Sequence, residues 1–247
     1  ALCATADLNN ALVSFILCLG AGLAALLAGG YLPEHKLDRG EFYPLLTFST
    51  VGAMILAASG DVLSLFLGLE TMSLGVYAMT GFRRTSPRST EAAVKYFLLG
   101  SFAAALLLYG AALLYGVTGH TDFDGIRQAL VTPAAGTKPN LGVVIIASAL
   151  VLVGMAFKVS AVPFHMWTPD AYEGAPTPAT GYMAVAVKTA AFAALLRVLT
   201  TALGHPDLTS WAAGWPPVIA FLAVASMTVA NLTAGRQESV KRMLAYS

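Results

Sequence analysis

The sequence predicts an all-α fold, a polytopic transmembrane helix bundle of six to seven membrane helices with a broken helix near Pro163. Hydrophobic residues make up 57% of the 247 residues and charged residues only 11%, whereas an ordinary soluble domain carries about 25% charge. The mean hydropathy is +0.72, and several apolar runs are long enough to span a bilayer. Backbone polar groups in lipid must be satisfied within the protein, which favours helices.

Each predicted helix rests on a mostly apolar run of about 20 residues, the length that spans the hydrocarbon core of a bilayer. The runs cover residues 8–32, 42–59, 62–81, 93–117, 141–162, 179–203 and 217–234. The second run is the weakest, because it is short and only residues 59–61 separate it from the third. We interpret residues 1–247 as a single transmembrane domain with an incomplete fold, and we expect further helices beyond both ends.

The connection after the fourth run contains a short amphipathic segment. Phe123, Ile126 and Leu130 follow an i, i+3, i+7 spacing, which puts them on one face of a helix. We therefore expect a short helix that lies on the membrane surface.

The placement of Lys and Arg predicts the orientation of the bundle, because cytoplasmic connections carry an excess of these residues. With seven crossings, one side receives eight basic residues, whereas the opposite side receives Arg127 and Lys138. We name the first side the basic face and expect it to be cytoplasmic. The net charge of +1 gives no support for a nucleic-acid partner. The eight residues are Lys36, Arg39, Arg83, Arg84, Arg88, Arg236, Lys241 and Arg242.

The two cysteines, Cys3 and Cys18, lie fifteen residues apart near one end of the chain. Cys18 belongs to an apolar run, so we interpret it as a small buried apolar side chain. Neither a disulfide nor a metal site is predicted from this pair.

Three charged residues, Glu70, Lys158 and Lys188, lie inside long apolar stretches. An ionisable group at the bilayer centre costs at least ~2.5–3.5 kcal/mol, and such groups usually serve proton or ion movement. Glu70 shares one helical face with Ser73 and Tyr77 through an i, i+3, i+7 spacing. The alternative is a structural ion pair that holds helices together.

The segment of residues 157–178, FKVSAVPFHMWTPDAYEGAPTP, predicts the break in the helix. Pro163 removes a backbone donor and clashes with the preceding turn, and three more prolines follow. Broken helices at membrane depth line cavities and recur at transport sites. His165 titrates near neutral pH, so we interpret it as a proton relay beside Lys158, with a satisfied interfacial histidine as the alternative.

Lys188 lies mid-span among small residues, which leave room for water or for another helix. The alternative is a lysine that extends to the headgroups, which its mid-span position disfavours. Lys95 follows Glu91 by four residues at a helix start, where an interfacial ion pair and a functional role both remain open.

The stretch FKVSAVPFHMWTPDAYEGAPTPAT closely resembles the antiporter-like membrane subunits of the proton-pumping NADH:quinone oxidoreductase, respiratory complex I. The segment WTPDAYEGAPTP favours the subunit N family over its two larger relatives. LGLETMSLGVYAM, EAAVKYFLLGSFAAALLLYG and NLTAGRQESVKRMLAYS are similar to neighbouring helices of that subunit. The similarity extends from about residue 62 to 247, and the first sixty residues match only in general character.

This resemblance implies roles for four residues. Glu70 and Lys158 would be the paired intramembrane carboxylate and lysine. Lys188 would be the next lysine along a hydrated central axis, with His165 between the two lysines. The second half of the family's fold, with another broken helix and a terminal lysine, is not found in this sequence.

The resemblance also implies a function in an assembly. The chain would be a membrane-arm subunit that helps to translocate protons, coupled to electron transfer from NADH to quinone in other subunits. No redox chemistry and no cofactor are expected in this chain, because flavin, iron–sulfur clusters and quinone would bind partner subunits. Its partners would be other membrane and peripheral subunits of complex I and the lipid bilayer. It would be a multi-pass protein of the bacterial inner (plasma) membrane.

Two other functions fit the same residues. A subunit of a multisubunit sodium/proton antiporter would use the broken helix and the lysines equally well, and sodium-dependent activity would distinguish it. A non-conducting membrane scaffold would use the buried charges only for helix packing. Joint apolar replacement of Glu70 and Lys158 would then be harmless, since a buried pair can often be exchanged without loss.

Overall fold

The computed structural model describes residues 8–131, 140–206, 208–212 and 214–246, and within these ranges the chain is helical apart from turns and loops. The one isolated antiparallel bridge found there joins Asp61 to Asp122. The predicted all-α class is therefore confirmed. Two residues named above, Cys3 and Lys138, lie outside the described ranges.

Ten helices follow one another along the described chain, and seven of them correspond to the predicted apolar runs. Six of them, α1, α3, α4, α6, α8 and α9, are long and apolar enough to cross a membrane, and α2 is a shorter apolar helix. The predicted six to seven membrane helices are thus confirmed. The helices are α1 (Leu8–Glu34), α2 (Phe42–Ala58), α3 (Val62–Thr80), α4 (Pro87–Thr118), α5 (Phe123–Val131), α6 (Leu141–Val159), α7 (Thr168–Gly174), α8 (Thr177–Ala202), α9 (Trp215–Ala234) and α10 (Val240–Ala245).

Helices α2 and α3 form the closest-packed hairpin of the bundle. A Cβ on Gly52 would lie 2.2 Å from the Met72 nitrogen, and a Cβ on Gly68 would lie 2.4 Å from the Leu56 nitrogen. Neither site can hold a side chain at this separation, so glycine lets the two backbones touch. The Ser49 hydroxyl also donates to the Met72 carbonyl at 2.9 Å. The weak second run therefore forms a helix because it packs against the third.

Helix α4 packs against both α3 and α6, and its contact with α6 again depends on glycine. A Cβ on Gly110 would lie 2.7 Å from the Ala147 carbonyl oxygen, and a Cβ on Gly154 would lie 2.6 Å from the Leu107 Cβ. The short helix α5 covers the far end of α4. The spacing predicted a short helix here, and its residues Phe123 and Ile126 are buried.

The predicted break near Pro163 is confirmed, and it begins at the end of α6. Ser160 adopts a left-handed conformation with φ of 62° directly after α6. The chain becomes helical again in α7, so the segment around Pro163 is a loop. The Val162 N–H at the break donates to the Ser226 hydroxyl on α9 at 2.9 Å. Because the helix stops, no continuous helical face joins Lys158 to His165.

Helices α1 and α9 are the least buried of the long helices. No residue of α9 is buried, and only 17% of the most apolar part of α1 is buried. Cys18 is exposed on α1, so the prediction that it is a buried side chain is wrong. The α1 sequence is apolar all round, and composition alone therefore does not indicate which face packs inward.

Ion pairs and one shared cavity define the basic face. Arg88, Arg236 and Arg242 line the same cavity of about 590 Å³, so the connections that carry them lie on one side of the bundle, as predicted. Arg84 pairs with Glu41 on this side at 3.1 Å.

Candidate functional site

Lys158 lies in the last turn of α6, directly before the break. Its side chain is enclosed, with 2% exposure, and its Nζ has no hydrogen-bond partner in the described chain. The Nζ lies 5.3 Å from the ring centroid of Tyr77 and 5.3 Å from that of Tyr96. Two aromatic rings therefore lie within cation–π distance of the ammonium.

These rings are fixed by their own contacts. Tyr77 and Tyr96 meet edge to face at 4.6 Å between centroids, and Tyr96 stacks in parallel on Trp167 at 4.1 Å. The Trp167 indole N–H donates to the Phe157 carbonyl at 3.1 Å. Gly100 lies against the Tyr77 hydroxyl, where any Cβ would come within 2.0 Å. The helix break thus supports the rings that surround Lys158.

Glu70 lies half-buried on α3, the helix that also carries Tyr77. Its Oε1 is buried and has no hydrogen-bond partner in the described chain. Glu70 and Lys158 attract each other electrostatically, although they form no ion pair within 4.0 Å. Ser73 shares the helical face of Glu70, but its hydroxyl donates to the Leu69 carbonyl of its own helix.

His165 and Lys188 line a different cavity, of about 480 Å³, enclosed by α6, the break, α8 and α9. The His165 Nδ1 atom is buried, and its ring meets the Tyr246 ring edge at 5.9 Å between centroids. Lys188 is half-buried and follows a π-helical turn at Met183–Val187. Apolar side chains form most of the wall, which polar groups interrupt at Ser160, Ser226 and Asn231.

The structure thus places the four predicted residues in two groups. Glu70 and Lys158 interact electrostatically on the side of α3 and α4, whereas His165 and Lys188 line one cavity on the side of α8 and α9. Helix α6 lies between them, since Ala156 on its opposite side lines the cavity. The relay through all four residues stays a prediction.

Sequence reasoning missed the residues that hold Lys158 and the break. Tyr96 and Trp167 lie far from each other in the chain, and no spacing in the sequence connects either one to Lys158. Ser226 belongs to an apolar run with no periodic polar pattern. Only the packing of α4 and α9 on the break reveals these contacts.

A third group of charges lies on the basic face. Asp170 on α7 pairs with Lys95 at 3.1 Å and with Arg242 at 2.9 Å. Burial alone would raise the pKa of Asp170, but hydrogen bonds and charges from these two cations lower it below its usual value. Lys95 also pairs with Glu91 at 2.6 Å, in agreement with the interfacial alternative.

Comparison with known proteins agrees with this architecture. The family model described as "NADH:quinone oxidoreductase/Mrp antiporter, TM" matches residues 59–247. NADH-quinone oxidoreductase subunit N 1 of Sorangium cellulosum is 77% identical over 234 residues, which are 95% of this chain and 46% of that protein. The aligned length therefore includes most of the first sixty residues. This chain spans about half the length of the curated relatives it matches.

Two solved structures share the fold. A chain of respiratory complex I from Thermus thermophilus with bound Aureothin is 39% identical with a TM-score of 0.77, covering 96% of this chain and 47% of that one. A chain of the Mrp complex from Dietzia sp. DQ12-45-1b is 26% identical with a TM-score of 0.78, covering 98% of this chain and 43% of that one.

The resemblance to subunit N is therefore confirmed, and six apolar helices agree with a multi-pass integral membrane protein. This chain belongs to the NADH:quinone oxidoreductase/Mrp antiporter transmembrane family.

Proposed function

We propose that this chain acts as subunit N in the membrane arm of a proton-translocating NADH:quinone oxidoreductase. The observation that carries the proposal is the buried, unpartnered ammonium of Lys158, next to a helix break and within electrostatic reach of Glu70. A buried charge without a hydrogen-bonded partner is costly. A group that must gain and lose a proton explains why that cost is retained.

In this mechanism Glu70 controls the proton on Lys158. Approach of the carboxylate favours the charged ammonium, and separation favours release of the proton. The charge on Lys158 then acts on Lys188. Two charges ~10 Å apart at an effective dielectric constant of ~20 interact by ~1.7 kcal/mol, which changes a protonation equilibrium by roughly tenfold. His165, in the cavity of Lys188, would pass protons between the lysines.

The energy must come from outside this chain. Moving one proton against ~150 mV costs ~3.5 kcal/mol, more than one such pair supplies. We therefore assign the redox chemistry to partner subunits that carry flavin, iron–sulfur clusters and quinone. Other membrane subunits would couple this redox chemistry to the charges of Glu70, Lys158 and Lys188. Since the relatives come from bacteria, the same proposal assigns the chain to the inner (plasma) membrane.

The test is replacement of Lys158 or Glu70 by Ala in the whole complex, reconstituted into vesicles. We expect either variant to assemble and to lose most of its NADH-driven proton pumping. Lys36→Ala is the matched control, because Lys36 is an exposed basic residue outside the helices. Undiminished pumping by both variants, with normal assembly, would show that the proposed roles are wrong.

A sodium/proton antiporter subunit is the second candidate, supported by the likeness to the Mrp complex chain. The higher identity to subunit N favours the first. Purification of the native assembly separates the two candidates. Flavin- and iron–sulfur-bearing partners would support the oxidoreductase, whereas sodium-dependent activity in vesicles without such partners would support the antiporter.

A further inference from the structure

We propose that Tyr77 and Tyr96 form an aromatic cage that binds the Lys158 ammonium through the faces of their rings, as positioning residues for the proton step. The inference rests on the proposed function, because it describes how the site holds a charge between two protonation events.

The distances from Lys158 to the two rings are those of cation–π contacts. A cation within about 6 Å of a ring centroid is attracted by the negative face of the ring, and the Lys158 Nζ lies 5.3 Å from both centroids. The rings stand at 89° to each other, so they approach the ammonium from two directions. This geometry is that of a cage rather than of a single chance contact.

Within the described chain, no hydrogen bond competes with the rings for the Lys158 ammonium. The Lys158 Nζ is buried and has no hydrogen bond in the described chain, and Glu70 forms no ion pair with it within 4.0 Å. Removing an ammonium from water without compensation is very costly. The ring faces are therefore the groups that stabilise the charged side chain while the carboxylate stays at a distance.

Ring stacking and a hydrogen bond hold the cage in place. Tyr96 is fully buried between Tyr77 and Trp167, and the Trp167 indole is tied to the Phe157 carbonyl next to Lys158. Because Trp167 belongs to the end of the break, movement of the break would move the stacked ring. The cage thus gives the broken helix a direct physical effect on the lysine charge.

A ring face differs from a carboxylate in one respect that matters here. It attracts the ammonium but does not accept the proton, so it stabilises the charge without ending the relay. When the proton leaves, the neutral amine loses most of this attraction. The cage therefore adds to the difference in free energy between the charged and neutral lysine, while Glu70 modulates that difference.

The experiment replaces the tyrosines in the whole complex and measures NADH-driven proton pumping in vesicles. Tyr96→Phe keeps the ring and removes the hydroxyl, so we expect pumping close to that of the parent. Tyr96→Leu removes the ring, so we expect pumping to fall about 2- to 30-fold, the range for a cation–π contact. Tyr109→Leu is the matched control, because Tyr109 lies on the same helix and is exposed.

Progressive fluorination of a phenylalanine at position 96 keeps the fold intact while weakening the negative face of the ring. We expect pumping to fall stepwise with each fluorine. Equal pumping across the fluorinated series, or equal loss in Tyr96→Phe and Tyr96→Leu, would overturn the cage. If Lys158→Ala pumped normally, the proposed function would fail instead, so the two failures are distinguishable.

Discussion

Lys158 and Lys188, the two intramembrane lysines of the candidate site, lie in contrasting surroundings. Around Lys158, glycine contacts bring α2, α3, α4 and α6 close together, and 61% of the most apolar part of α6 is buried. Around Lys188, α9 contributes no buried residue, and a cavity of about 480 Å³ separates the helices. A water molecule takes up about 30 Å³ in the liquid, so this space is large enough for several. The same residue type is thus held by fixed rings at one site and beside space for solvent at the other.

This contrast suggests a division of labour along the proposed proton path. A close-packed site holds a charge at a defined position, where a small movement of Glu70 or of the break changes its energy. A cavity with polar groups at its edge exchanges protons through water. Substitutions that affect the two sites differently therefore test the contrast directly.

The largest expected effect comes from replacing each lysine by arginine, which cannot release its proton at physiological pH. We expect both Lys158→Arg and Lys188→Arg to abolish proton pumping. Their effects on assembly should differ. The arginine side chain is larger than that of lysine, so at position 158 it overpacks an enclosed site and lowers stability by about 1–3 kcal/mol. At position 188 the neighbouring cavity accommodates it.

Pumping in vesicles and the melting temperature of the purified complex together measure this difference. Lys158→Arg should lower the melting temperature and Lys188→Arg should leave it unchanged. Full pumping by Lys188→Arg would rule out titration of that lysine. A lower melting temperature for Lys188→Arg would mean that its surroundings are as tight as those of Lys158.

The sequence predicted the helices of both regions but not the contrast between them. The runs predicted for α3 and α6 begin and end within a few residues of the helices themselves. Length and hydropathy determine which segments span the bilayer, so these bounds could be predicted. Helix α4 begins at Pro87 rather than near residue 93, because its first polar turn extends the helix beyond the apolar run. Burial of individual side chains was harder to predict, as Cys18 shows.

The candidate site was predicted to a similar extent. A charged residue in an apolar run is visible in the sequence, so Glu70, Lys158 and Lys188 could be named. Their surroundings could not, because Tyr96 and Trp167 reach Lys158 only through the packing of α4 against α6 and α7. That His165 and Lys188 line the same cavity likewise depends on where the helix stops, which proline content indicates only approximately.

A smaller effect is expected in the accessibility of the two regions to water. Ala223 lines the cavity beside Lys188, whereas Ala104 on α4 is 5% exposed. With Cys3 and Cys18 replaced by serine, Ala223→Cys should react with a small charged methanethiosulfonate reagent. Ala104→Cys should react at least about tenfold more slowly. A local opening that costs ~1.4 kcal/mol already lowers the labelling rate by this factor.

The rate of labelling in the whole complex, followed by mass spectrometry, measures this difference. Ala223→Cys in denatured protein provides the reference rate for a freely accessible thiol. Equal slow labelling of both positions in the native complex would mean that the cavity is dry. The proposed hydrated role of Lys188 would then lose its structural basis.

The smallest expected effect concerns Ser226, which joins the loosely packed α9 to the break. Ser226→Ala removes the acceptor of the part-buried Val162 N–H, and the loss of such a hydrogen bond costs about 0.5–1.5 kcal/mol. Ser226→Thr keeps a hydroxyl and should restore stability. Thr228→Ala is the matched control, because the Thr228 hydroxyl donates to the Val224 carbonyl of its own helix at 2.8 Å. We expect a lower melting temperature and weaker pumping only in Ser226→Ala. Identical melting of Ser226→Ala and Thr228→Ala would mean that water from the cavity replaces the serine, so that α9 does not hold the break.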